Sequence, residues 1–127
     1  MPPFTLSTTI KNYPKQIPYE TIKNDILGKR YSLSFTLVGK NRAQKINQTT
    51  RKKDYAPNVL SFPLDINCGE IVLCPEVARP EAKDFSLTKD GYIAFLFIHG
   101  LLHLKGYDHG DTMEKLERRY VSKYSLV

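Results

Sequence analysis

At 127 residues the chain has the length of one ordinary domain, enough to bury a core without disulfides or metal staples. A composition of 41% hydrophobic and 25% charged residues is that of a soluble globular protein, and no apolar run is long enough to span a bilayer. The net charge of +6 is unevenly spread: residues 1 to 53 carry eleven Lys and Arg against Glu20 and Asp25, whereas residues 54 to 127 carry eight against eleven acids. Such asymmetry reads either as the footprint of a polyanion binder or as a solvated basic face.

Taken in order, the chain begins with two prolines and no basic-then-apolar leader pattern, so nothing in it points to secretion and a cytoplasmic location is expected, with no membrane partner. Phe4 to Ile10 alternates apolar with Thr and Ser, as a half-buried strand does. Pro18 can open a short amphipathic helix whose stripe is Ile22, Ile26 and Leu27, closed by Gly28. Tyr31 to Val38 alternates with period two and predicts a second strand. Asn41 can cap a polar surface helix with Ala43, Ile46 and Asn47 facing inward. The segment from Thr49 to Asn58 is expected to be a basic loop, because Pro57 disfavours helix before it.

Asn58 to Leu64 and Gly69 to Cys74 are two further strand candidates joined by a short turn, hence an antiparallel pair, and Pro63 means that the first is either an edge or ends there. Ala78 to Phe85 suits a short helix that tolerates Pro80 only in its first turn. From Thr88, a plausible N-cap, the longest helix begins. Its apolar residues Ile93, Phe95, Leu96, Phe97, Ile98, Leu101, Leu102 and Leu104 wrap nearly all round, so it should run through the middle of the fold. A last helix, capped by Asp111 or Thr112, has the stripe Met113, Leu116, Tyr120, Val121 and Tyr124. Cys68 and Cys74 are too few for a disulfide framework and are expected as buried thiols; the alternative is that one of them serves as a fourth metal ligand.

All three histidines, His99, His103 and His109, lie in the stretch I-H-G-L-L-H-L-K-G-Y-D-H-G-D (Ile98 to Asp111). Imidazole is the commonest metal ligand at neutral pH, and residues four apart on a helix share a face, so His99 and His103 can reach one ion. Gly106 suits a left-handed helix stop, after which the chain can swing His109 back as a third donor. Three nitrogens with a fourth position open are the pattern of a catalytic rather than a structural zinc site. Two unpaired imidazoles buried in an apolar helix would each cost about 1 to 3 kcal/mol, a cost a shared cation removes. The zinc-protease signature H-E-x2-H places a glutamate general base after the first histidine; Gly100 stands there instead, which counts against peptide hydrolysis and suits close approach of another backbone or a substrate. Asp108 can either accept the second ring N–H of a ligand histidine or shape the loop.

These residues carry a resemblance to the YbeY family of bacterial metal-dependent endoribonucleases involved in rRNA maturation. H-G-L-L-H-L-K-G-Y-D-H (His99 to His109) fills that family's H-G-x-L-H-L-x-G-Y-D-H motif, and R-K-K-D-Y-A-P-N-V-L-S-F-P (Arg51 to Pro63) and G-E-I-V-L-C (Gly69 to Cys74) follow its other segments in order. The family usually has Gly after the arginine and Pro-Thr before N-V-L-S-F, where this chain has Lys52 and Ala56-Pro57. The resemblance implies a single-domain α+β fold over residues 1–127, with a mixed sheet of about four strands, surrounding helices and the metal motif on a central buried helix. It further implies one divalent metal ion per chain, zinc, held by His99, His103 and His109, and a cleft arginine at Arg51. The substrate would be an rRNA precursor, held by Arg51, Lys52 and Lys53, with ribosomal proteins or the small subunit as partners. Two alternatives remain open from the residues alone: another metallohydrolase such as a protease, and a non-catalytic ribosome-associated RNA-binding protein with a structural metal.

Overall fold

In the computed structural model, which describes residues 2–124, four strands form one mixed sheet. β1 (Phe4–Thr8), β2 (Ser32–Leu37), β3 (Val59–Asp65) and β4 (Cys68–Leu73) lie in the order β1-β2-β4-β3. β1 and β4 both run parallel to β2, with Phe35 opposite Leu6 on one side and Ile71 on the other. β3 pairs antiparallel with β4 and forms an edge, with a register shift between Pro63 and Asp65. Proline lacks the N–H that a central strand donates, which is why β3 can hold Pro63 only on the outside of the sheet.

Alternation along the strands divides the core into two layers. Leu33, Phe35, Leu37, Ile71 and Leu73 face the helices α1 (Tyr19–Leu27) and α4 (Lys89–Lys105), whereas Val38, Leu60, Val72 and Cys74 face the other side, where α2 (Lys40–Arg51) packs through Ala43 and Ile46. Tyr19, Phe35 and Phe97 interlock α1, β2 and α4, with ring centroids 4.5 to 5.2 Å apart. Such aromatic pairs contribute roughly 0.5 to 1.5 kcal/mol each beyond the area they bury.

α4 is buried on most faces, as its apolar wrap predicts. The Thr88 hydroxyl caps it by accepting from the Gly91 N–H at 3.0 Å. Its far end closes in a Schellman turn: Gly106 has φ 111°, its N–H reaches the His103 carbonyl, and the Tyr107 N–H reaches Leu102. Gly100 lies where α4 meets the sheet. A Cβ there would fall 2.9 Å from Ser61 Oγ and 3.0 Å from Ile71 Cδ1, and Ser61 donates to the Gly100 carbonyl at 3.1 Å. The close approach expected of this glycine is thus to the sheet, and a side chain at this position would point into the core rather than at the histidines.

Several local expectations need correction. α2 starts from Gly39 rather than Asn41 and continues through Thr49, Thr50 and Arg51, residues expected to be loop. Pro57 restrains only its immediate predecessor, so it cannot unwind a helix six residues upstream. The helix ends instead at Lys52, which takes the left-handed conformation (φ 57°, ψ 34°). Pro18 caps α1 from outside its first turn. The stretch around Pro80 is a short α3 (Pro75–Ala78) running into a 3-10 helix (Arg79–Phe85). Gly110, not Asp111 or Thr112, stands at the start of α5 (Asp111–Lys123). At the other end of α5, Asp25 accepts from Lys123 Nζ at 2.5 Å and from the Tyr124 hydroxyl at 2.7 Å, tying that end back to α1.

Candidate metal centre and the cleft around it

The three histidines converge. Their ring centroids lie 4.5 to 5.1 Å apart, and one nitrogen from each falls within 4.8 Å of the others. His99 and His103 are half-buried on the last turns of α4, and His109 is exposed in the loop beyond the Gly106 turn.

Hydrogen bonds decide which nitrogens are available. His99 Nδ1 lies 2.6 Å from Glu117 Oε2, and His103 Nδ1 lies 3.0 Å from the Tyr107 carbonyl oxygen. A carboxylate and a carbonyl are acceptors only, so in the neutral tautomers each Nδ1 carries the proton and each Nε2 presents a bare lone pair. Those two Nε2 atoms face one another at 3.1 Å. Two lone pairs at that distance repel unless a cation lies between them, and the separation is near the roughly 3.4 Å edge of a tetrahedron drawn with Zn–N bonds of about 2.1 Å. The residues present therefore fit a divalent ion. Burial, reinforced by the neighbouring His99 and His103's other neighbour His109, pulls the His103 imidazole below its ordinary value, which keeps it neutral and able to ligate.

The partners of the histidines were only partly foreseeable. Asp108 is exposed, and the second nitrogens of His99 and His103 are taken by Glu117 and Tyr107. Glu117 is the residue the sequence reading passed over. It sits on the buried face of α5 between Met113 and Val121, four residues from each, and is only 5% exposed. A carboxylate on an apolar stripe is the signal that could have found it, since such a group needs a buried partner. The Tyr107 carbonyl is a backbone group with no sequence signal, aimed by the Schellman turn itself.

Arg51 lines the same cleft as the three histidines, approaching from the opposite layer. Between them runs the edge strand, with Ser61, Phe62 and Pro63 on the cleft wall. Arg51 is exposed; its Nη1 donates to Asn47 Oδ1 at 3.3 Å, while buried Asn47 donates to the Tyr55 carbonyl at 2.9 Å. Lys52 and Lys53 are exposed beyond the helix end and are not among the residues lining the cleft. Cys74 is buried in the α2-side layer and Cys68 begins β4; both are free thiols outside the histidine group. Among the described residues, no helix is long and apolar enough to cross a membrane.

An α+β sheet whose central buried helix carries an open three-histidine centre, faced by an arginine across an edge strand, defines a narrow class of proteins. Within it, the chain belongs to the endoribonuclease YbeY family, whose model matches residues 4–125. It is 40% identical over 104 residues to an endoribonuclease YbeY of Stutzerimonas stutzeri, a match covering 72% of this chain and 65% of that protein. To one of Bdellovibrio bacteriovorus it is 45% identical over 82 residues, covering 63% and 55% respectively. These matches thus span less than two thirds of either relative's length. The solution structure of TM1509 from Thermotoga maritima aligns with a TM-score of 0.71 at 26% identity, over 95% of this chain and 88% of that one.

Proposed function

We propose that this chain, as a single domain over residues 1–127, is a metal-dependent single-strand-type endoribonuclease that hydrolyses RNA phosphodiesters, acting on rRNA precursors in the cytoplasm with ribosomal proteins or the small subunit as partners. The observation that carries the reading is the pair of Nε2 atoms 3.1 Å apart, each ring backed at Nδ1 by an acceptor, with His109 and Arg51 lining the same cleft. The family membership and the curated relatives named as endoribonucleases support it.

His99, His103 and His109 would hold one ion per chain, zinc by donor type, since three imidazoles suit it. When bound, the ion supplies Lewis acidity toward a phosphodiester oxygen and eases deprotonation of an attacking hydroxyl. Arg51 presents its planar fork to the phosphate and stabilises the charge that builds on it in the transition state. Glu117 and the Tyr107 carbonyl hold the two helix histidines in the ligating tautomer. The metalloprotease alternative lacks its glutamate base, because Gly100 stands at that position, and a side chain there would meet the sheet.

Metal content and cleavage of structured RNA, measured for wild type, His103→Ala and Arg51→Ala, test this. His103→Ala should lose the ion and the activity together. Arg51→Ala should keep the ion and lose about 10²- to 10³-fold in kcat, the usual effect of removing one charge-stabilising donor. Catalysis that survives metal removal and both substitutions would sink the mechanism. Product ends assign the nucleophile: a 2′,3′-cyclic phosphate identifies the RNA's own 2′-hydroxyl and rules out direct attack by water, whereas a 5′-phosphate with a 3′-hydroxyl identifies water.

A further inference from the structure

Next to the Arg51 cleft, and sharing Asn58, Val59, His99 and His109 with it, lies a second cavity of about 530 Å³. Its volume falls within the roughly 300 to 1,000 Å³ of small-ligand sites. Phe85, Tyr92 and Phe95 line it as a three-ring cluster, with Phe85 and Phe95 5.7 Å apart at 35°, and Phe95 carries the cluster on to His99 at the metal centre. Phe85 and Tyr92 are 4.9 Å apart at 26°, Tyr92 and Phe95 5.8 Å at 14°, and Phe95 and His99 6.3 Å at 29°. The outermost ring, Phe85, is 52% exposed, one of few large apolar side chains left in water. Hydrogen bonds anchor the cluster: Glu81 Oε1 accepts from the Tyr92 hydroxyl at 3.0 Å and from Asn58 Nδ2 at 2.9 Å, joining the 3-10 helix, α4 and the entry to β3.

We infer that this cavity is a nucleobase-stacking subsite, taking one unpaired base of the RNA whose phosphate lies at the histidines. The inference rests on the endoribonuclease reading and names the part of the substrate that reading leaves unplaced. Continuity supports it, because His99 and His109 line both cavities, so a nucleotide bound at the centre borders both. Charge then sorts the halves of the nucleotide. The first cavity has Arg51 and suits phosphate; the second has the carboxylates of Glu114 and Glu117 in its wall, which repel phosphate, beside rings that any base can cover. Arg118 closes the second cavity's rim, where a guanidinium can stack on or hydrogen-bond a base. Bases splayed from a single strand and stacked on aromatic rings are the usual mode of sequence-specific RNA recognition.

The test is stopped-flow fluorescence of short single-stranded RNAs carrying 2-aminopurine at successive positions, mixed with metal-loaded protein and read before turnover. Wild type should quench the probe at one position. Phe85→Ala should abolish that quench and weaken Kd about tenfold, Phe85→Tyr should restore both, and neither should change metal content. RNA that binds without a position-specific quench, or a quench and Kd unchanged in Phe85→Ala, would overturn the subsite and leave the cavity as a surface for protein. If wild type cleaves RNA but shows no quench, the subsite alone fails; if it quenches but never cleaves, the endoribonuclease reading alone fails.

Discussion

The chemistry of single residues at the centre is set by what stands behind them. Glu117 orients His99 through one 2.6 Å contact. Glu117→Ala should therefore weaken metal affinity about 10- to 100-fold in a chelator competition while the fold persists, and Glu117→Gln, which keeps an acceptor, should recover part of it. Equal affinities for the three proteins would remove Glu117 from any positioning role. His103 adds a pH dependence. Its folded pKa lies below the ordinary 6.5, so the unfolded chain takes up the proton first as pH falls. Its contribution to the metal-free protein's stability is complete above about pH 6.5 and is lost as pH drops through the window below that value. Urea midpoints of metal-free protein should fall between about pH 7.5 and 5.5, and His103→Asn should flatten part of that slope.

At the scale of elements, most of the fold was legible because its signals are local. Period-two alternation marked β2, the Thr88 cap and the all-round apolar wrap marked α4, and the H-x3-H spacing followed from helical geometry. What stayed hidden depends on contacts between elements or on backbone alone: the pairing of α5 with α4 through Glu117, the aim of the Tyr107 carbonyl, and the end of α2. That last error has a physical residue. The helix stops at a left-handed Lys52, a position where the family's usual glycine bears no Cβ penalty. Lys52→Gly should raise stability by up to about 1 kcal/mol, the left-handed cost less the glycine entropy, or roughly 3 to 5 °C in Tm. No change, or a loss, would mean that the lysine side chain contributes something the backbone does not show.

Over the whole molecule, the charge asymmetry acquires a geometry. The basic helix α2 lies on one layer, the histidines on the other, and the cleft joins them over β3. RNA affinity should fall linearly with salt on a logarithmic plot, at a slope near −0.7 per phosphate neutralised on a single strand. Lys52→Glu and Lys53→Glu, tested separately by fluorescence anisotropy, should each make that slope shallower by about 0.7 if those side chains hold phosphates outside the cleft. An unchanged slope would identify them as part of a solvated face.

The edge strand also bears on how the protein coexists with its neighbours. An open sheet border is an invitation for another chain to add a strand, and here that border is the floor of the cleft. Capping it with a further strand would close the site, so the protein has to leave its most adhesive backbone uncovered. Pro63 and the register shift beside it interrupt the row of donors at that border, which makes β3 a poor template for another strand.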